Sequence, residues 1–287
     1  MLAEVLQQLR LSDGETLVDG TFGAGGYSRA ALEAARCNVI AIDRDPNAIR
    51  DGQSIVAASG GRLKLIQGPF SDMAEIASEA APVDAVVLDI GVSSMQIDDG
   101  ARGFSFLRDG PLDMRMGDDT DVTAWQLVRA LRESALADVI YQYGEERASR
   151  PIARAIKRAV EAGEMDTTRQ LAAAVYRVLG PPRPPRLDPA TRTFQALRIA
   201  VNDELGELDR LLAALPEALA DGGVAAVISF HSLEDRRVKH ALRDAEALEV
   251  MTKKPIEPGD DECRDNPRAR SAKLRAARRV ARGGEAL

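Results

Sequence analysis

Val18-Asp19-Gly20-Thr21-Phe22-Gly23-Ala24-Gly25-Gly26 follows directly on a short apolar run and precedes a helical stretch. An acidic residue closing a strand, followed by alternate glycines, marks a turn whose backbone can approach a ligand closely. The three-glycine dinucleotide pattern is not met, because Thr21 stands where the first glycine would be and Ser28 where the last would be. That departure points away from a nicotinamide cofactor and toward S-adenosylmethionine. A tight turn without a ligand is the plain structural alternative.

Through the first ninety residues β-like runs alternate with helical stretches. Residues 16–19, 39–43, 63–67 and 83–89 read as strands, with a helix-like stretch at 71–80 between the last two. This is the pattern of a parallel sheet wound by helices. Residues 224–230, after the turn Asp221-Gly222-Gly223, read as a further buried strand. More than 130 residues lie between it and the fourth strand, too many for one crossover, so a segment with its own fold is expected there. From 102 to 198 apolar residues recur three and four apart (125–131, 135–140, 148–161, 168–179), which predicts an inserted α-helical domain. The expected division is therefore 1–101 and 199–287 for the α/β sheet and 102–198 for the insertion. After Pro151, Ile152, Ile156, Ala159 and Val160 share one helix face, and Arg150, Arg154, Lys157 and Arg158 the other. Residues 181–185, with four prolines, predict a loop. Residues 248–252 and 273–280 predict two last strands joined by a polar loop.

The chain has 287 residues, 45% hydrophobic and 29% charged, enough for a full core. Cys37 and Cys263 are too few for a disulfide framework, and with only His231 and His240 they form no zinc-spaced cluster, so no metal is expected. Residues 1–13 lack a charged head followed by an apolar run. No stretch of about 18 uncharged apolar residues occurs, so a soluble, cytoplasmic protein without a membrane partner is expected. The net charge of −7 hides an asymmetry: residues 147–200 hold 11 Lys/Arg against 4 Asp/Glu, and residues 266–284 hold 7 against none. Two basic surfaces on an acidic body suit a polyanion docked in one orientation, with solvated helix faces as the alternative.

Asp43, 18 residues beyond Gly25, ends the second strand, where a carboxylate can accept both hydroxyls of a ribose. Arg44 could instead favour a 2′-phosphate, and Asp45-Pro46 opens a helix that a carboxylate could cap. The fourth strand ends in Leu88-Asp89-Ile90-Gly91-Val92-Ser93-Ser94-Met95-Gln96, the region where an open α/β sheet places its active site. Methylating an exocyclic amine is an in-line displacement from a sulfonium ion. The amine's lone pair is delocalised into the base, so an acceptor must orient the group and take its proton. Methyltransferases acting on amino groups of DNA bases often carry an acidic or amide residue, two prolines and an aromatic here. This chain has Asp89-Ile90-Gly91-Val92 instead, so the base is gripped differently and Asp89 can serve cofactor or substrate. His231 follows the fifth strand near the expected cleft, yet Ser232 with Asp235 is also an ordinary helix start. Asp113 and Arg115 could touch the target nucleotide or pin the insertion to the core; pinning is the expectation. Phe104 and Phe106 could stack a flipped base or simply pack. Arg192 and Arg198, six apart on a helix, do not share a face, so one of them at most is expected on RNA.

The strings Asp19-Gly-Thr-Phe-Gly-Ala-Gly-Gly, Asp43-Arg-Asp-Pro, Gly68-Pro-Phe-Ser, Leu88-Asp-Ile-Gly-Val-Ser-Ser, Arg102-Gly-Phe-Ser-Phe-Leu-Arg-Asp-Gly-Pro-Leu-Asp-Met-Arg-Met, Tyr143-Gly-Glu-Glu-Arg, Pro189-Ala-Thr-Arg-Thr-Phe-Gln-Ala-Leu-Arg, Ile228-Ser-Phe-His-Ser-Leu-Glu-Asp-Arg and Asn266-Pro-Arg-Ala-Arg-Ser run in order from residue 19 to residue 271. Together they resemble the RsmH (MraW) family. The resemblance implies a class I, Rossmann-like S-adenosylmethionine methyltransferase sheet interrupted by a helical domain. It implies methylation of N4 of a decoding-centre cytidine in 16S ribosomal RNA within the small subunit, with no DNA substrate. A non-catalytic RNA-binding assembly factor on the same fold is the rival reading. By the resemblance the cofactor pocket comprises Gly25, Gly26 and Tyr27 under the methionine end, Asp43 at the ribose, Phe70 near the adenine, and Asp89 and Gln96 near the reacting end. Members usually have histidine where Tyr27 stands and often proline where Met95 stands. Asp89, Ser93 and His231 are the candidates for taking up the proton, and the resemblance assigns none of them.

Overall fold

The computed structural model describes residues 1–184 and 187–281; Pro185 of the proline segment and Arg282 of the second basic segment lie outside the described residues. Two compact units emerge, Met1–Gly91 with Leu205–Leu287, and Val92–Glu204. The first begins with α1 (Leu2–Leu9), β1 (Thr16–Asp19), α2 (Gly26–Ala34), β2 (Asn38–Asp43), α3 (Pro46–Ala58), β3 (Leu63–Gln67), α4 (Met73–Ile76) and β4 (Val83–Asp89). The second unit carries α5 (Ser94–Asp98), α6 (Ala124–Ala130), α7 (Glu133–Gly144), α8 (Ser149–Glu161), α9 (Thr168–Leu179) and α10 (Thr191–Asn202). The chain returns with α11 (Glu204–Ala218), β5 (Leu219–Ser229), α12 (Ser232–Asp244), β6 (Leu248–Val250), α13 (Asp260–Asp265) and β7 (Lys273–Arg279).

The strands form one sheet in the order β3-β2-β1-β4-β5-β7-β6. β1 to β5 are mutually parallel and β7 pairs antiparallel with both β5 and β6. This is the class I methyltransferase sheet that the resemblance implied. Period-2 alternation fills both faces. Ile40, Ile42, Val86, Leu88, Ala225 and Val227 pack under α4, α11 and α12, while Val39, Ala41, Val87, Ala226 and Ile228 pack under α1, α2 and α3. The expected turn Asp221-Gly222-Gly223 lies inside β5 rather than before it. The register passes from Val83↔Leu219 to Ala85↔Val224, so the residues between loop out as an irregularity and pairing resumes beyond them.

The second unit starts at residue 92 and ends at 204, where sequence periodicity had suggested 102 and 198. The extra residues are held locally: Ser93 and Gln96 close a capping box on α5, and Arg102 donates to the carbonyls of Arg115 and Met116. Its core is separate, built on Val128, Leu136, Ile140, Ile152, Ile156, Leu171, Val175 and Leu197. Each such aliphatic side chain contributes about 1.5–3 kcal/mol on burial. Gly144 ends α7 against α10, where a Cβ would lie 2.5 Å from the Arg192 carbonyl oxygen. Asp113 and Arg115 hold each other within this unit through two side-chain hydrogen bonds of 2.8 Å. Phe106 meets Phe194 edge-on at 5.2 Å, and Phe104 is buried, so both aromatics pack.

The basic segments resolve unevenly. β7 lies inside the sheet, so its arginines face carboxylates: Arg275 binds Asp235 at 2.7 and 3.2 Å, Arg278 binds Glu249, and Arg279 faces Asp221. A basic tail free to grip a polyanion is thus not what the strand provides. On α8 the expected basic face is split. Lys157 is half-buried and donates to the carbonyls of Val128, Arg129 and Leu131, closing the C-terminal end of α6. Arg150, Arg154 and Arg158 are exposed. We expect Lys157→Met to cost about 1–2 kcal/mol by leaving those carbonyls unmet. Arg158→Met is expected to stay within about 0.5 kcal/mol. Urea denaturation of the two variants checks the contrast.

Candidate active site

The sheet order reverses between β1 and β4, and the carboxyl ends of strands at such a reversal leave the crevice in which open α/β sheets bind ligands. Three strands end there in aspartate. Asp19, closing β1, is fully buried; its Oδ2 accepts the Ser28 hydroxyl at 2.7 Å and its Oδ1 the Thr21 N–H at 3.2 Å. Asp43, closing β2, accepts the N–H groups of Gly23 at 2.7 Å and Asp45 at 2.8 Å. Asp45, not Asp43, caps α3, accepting from the Asn47 N–H. The Asp43 carbonyl accepts from Gly68 N–H at 3.0 Å, which sets the turn leading to Phe70. Asp89, closing β4, donates its N–H to Thr21 Oγ1 at 2.7 Å, and its Oδ2 accepts the Tyr27 hydroxyl at 3.1 Å. Asp89 Oδ1 is shut off from solvent and has no hydrogen-bond partner among the described residues.

The glycine loop divides by role. Gly25, at φ 74°, is the left-handed N-cap of α2, and a Cβ there would lie 2.6 Å from Ile55 and 2.7 Å from Phe22. It is required by the fold. Gly26 is exposed, and a Cβ on it would meet nothing within 4 Å. His231 caps α12, one residue earlier than the expected Ser232: its Nδ1 accepts the Glu234 N–H, and its Nε2 lies 3.0 Å from Glu234 Oε1. Glu234 is buried and its Oε2 accepts the N–H groups of Phe230 and His231.

Gly25, Gly26, Tyr27, Asp43, Phe70, Asp89 and His231 therefore belong to the first unit, at the loops following its strands. Ser93 and Gln96 belong to the second, where each bonds the other's backbone N–H and Gln96 Nε2 reaches the Met116 carbonyl. Sequence reading passed over Asp19, Thr21, Ser28 and Glu234. Thr21 and Ser28 were visible as departures from a glycine pattern, and the structure shows both hydroxyls spent on the aspartates.

Burial pushes the Asp89 carboxyl up to about 7, against the pull of the Tyr27 hydrogen bond. Burial likewise lifts Asp19 to about 6 and raises Asp43, whose backbone donors only partly offset it. The Tyr27 phenol is raised by burial and by the Asp89 charge. So much enclosed negative charge favours a cation. The residues fit S-adenosylmethionine, which offers a sulfonium and an ammonium to the carboxylates, a diol to Asp43, and close backbone approach at Gly26.

Gly25→Ala is expected to lower Tm by more than about 5 °C. Gly26→Ala should leave Tm within about 2 °C while weakening S-adenosylmethionine at least ~10-fold, because its Cβ takes ligand space rather than protein space. Thermal melting and calorimetric titration separate the two. If Asp89 faces the cationic cofactor, the ionised carboxylate favours it, so affinity should fall as pH drops through about 7. The unliganded protein behaves oppositely: a carboxyl raised in the folded state contributes stability below its unfolded value, lost as pH rises through about 7. Asp89→Asn should flatten both profiles and raise Tm at pH 8 by roughly 3–6 °C.

The profile of the MraW methylase family matches residues 1–280. A protein of Sorangium cellulosum (strain So ce56) named ribosomal RNA small subunit methyltransferase H is 54% identical over 286 residues, covering 99% of this chain and 90% of that one. A protein of the same name from Xanthobacter autotrophicus (strain ATCC BAA-1158 / Py2) is 54% identical over 299 residues, covering 98% and 86%. Among solved structures, an rRNA methylase from Streptococcus thermophilus aligns with 12% identity and a TM-score of 0.43 over 98% of this chain and 92% of that one. With its glycine loop, its three strand-end aspartates and this match along nearly its whole length, the chain belongs to the MraW methylase family and is an S-adenosylmethionine-dependent methyltransferase.

Proposed function

We propose that this methyltransferase acts on small-subunit ribosomal RNA, transferring a methyl group to N4 of a cytidine at the decoding centre, in the cytoplasm. The substrate rests on the likeness to relatives named as small-subunit ribosomal RNA methyltransferases. The observation that carries the chemistry is Asp89, a carboxylate with one oxygen held by Tyr27 and the other buried without a partner.

S-adenosylmethionine supplies an electrophilic methyl carbon on a sulfonium. The chain's residues do the rest. Asp43 would hold the ribose diol, Phe70 the adenine, and the backbone at Gly25, Gly26 and Tyr27 the methionine end. Asp89 would accept a hydrogen bond from the exocyclic amine, which concentrates the lone pair on the nitrogen that attacks the methyl carbon. Asp89 would take up the amine proton that methylation releases. Tyr27 keeps that carboxylate in one rotamer, and a carboxyl near 7 can both accept and release the proton at neutral pH.

Tritium transfer from labelled S-adenosylmethionine to small subunits from a strain lacking this gene, followed by nucleoside analysis, tests the reading. Label in N4-methylcytidine is the expected result, and it should fall at least ~100-fold with Asp89→Asn. Absence of label despite cofactor binding would remove the substrate assignment. An assembly factor without catalysis would instead bind the subunit equally well with Asp43→Ala and without cofactor.

A further inference from the structure

Of the lysines and arginines concentrated between residues 147 and 200, several are already engaged within the second unit. Lys157 closes α6, Arg177 pairs with Glu164, Arg192 with Glu146, and Arg198 with the buried Glu204. Among the described residues, exposed arginines gather in a row along α8 and its approach. Arg147, Arg150 and Arg158 are exposed and their side chains make no ion pair or hydrogen bond among the described residues. Arg154, between them, has only Glu133 at 3.4 Å, an exposed pair worth little against a competing anion. Arg150, Arg154 and Arg158 recur every fourth residue, so they stand on one side of the helix about 6 Å apart along its axis. The opposite side, Ile152, Ala153, Ile156 and Ala159, is buried, which fixes the direction the arginines face.

We infer that the outer side of α8 is a docking surface for the RNA backbone, with Arg147, Arg150, Arg154 and Arg158 on successive phosphates. The partner class follows from the surface chemistry and, for the particular RNA, rests on the functional reading above. Roughly 12 Å of arginines matches a polymer that carries charge every few ångströms along its axis. A membrane-surface helix would set large apolar side chains beside its cations, and α8 exposes none. Guanidinium groups also suit phosphate better than ammonium would, through paired donors.

The test is binding of the full chain to small ribosomal subunits from a strain lacking this gene, across about 50 to 200 mM salt. Arg150→Glu with Arg158→Glu should weaken binding ~10-fold or more and reduce the slope of log affinity against log salt by about 2. S-adenosylmethionine affinity should be unchanged. Arg243→Glu, an exposed arginine of α12 paired with its neighbour Asp244, should leave the slope as it is. If melting shows that charge reversal harms folding, Arg150→Gln with Arg158→Gln carries the same test. Should the wild-type chain methylate the subunits while the α8 variants keep its slope and affinity, the docking surface is overturned and the enzyme reading stands. Should the wild-type chain neither bind nor methylate them, both fall.

Discussion

Enclosed negative charge at the carboxyl ends of β1, β2 and β4 is the constraint around which the first unit is arranged. Three aspartates sit where parallel register brings adjoining strands to one edge, with Asp19 opposite Ala41 on one side and Val87 on the other. A buried carboxylate must be met by donors or lose its charge. The loop after β1 meets this need: Thr21 and Gly23 supply N–H groups to Asp19 and Asp43, and Ser28 supplies a hydroxyl. Donors are thus spent on Asp19 and Asp43, whereas Asp89 keeps one oxygen bare. The conformation of the glycine loop, the elevated carboxyls and the affinity for a cationic cofactor are consequences of one arrangement.

The same arrangement sets stability against function. A carboxyl held near 7 weakens the unliganded fold at alkaline pH. Tyr27 moderates the conflict by bonding one oxygen. Histidine is usual at that position among sequences of the resembling family; a phenol that stays protonated offers a donor whose charge does not change across the working pH range.

Charge in the rest of the chain is allocated by secondary structure rather than by sequence density. On β7 the buried Arg275 and Arg279 meet Asp235 and Asp221, and the exposed Arg278 pairs with Glu249. α8 turns one basic side chain inward to close a neighbouring helix and leaves the others in solvent. A count of lysines and arginines treats these alike, since what separates them is whether a neighbouring element supplies a carboxylate or a carbonyl.

Strand positions, the helical stretches and the glycine turn were legible in the sequence because each depends on short-range order: apolar period, glycine placement, acidic strand ends. The first four strands lie within a residue of their expected bounds, and Asp43 and Asp89 close the strands they were expected to close. The irregularity in β5, the cap at His231 and the self-contained Asp113–Arg115 pair were not legible, since each depends on which groups meet across the fold. Nor could spacing reveal that Thr21, read as a missing glycine, would carry the hydroxyl that receives the Asp89 N–H from 68 residues away. Sequence alone determined the elements and the chemical types present at their ends. Tertiary structure decided which carboxylate oxygen stays unpartnered and which arginines stay in solvent, because hydrogen bonds and desolvation act between groups that only the folded chain brings together.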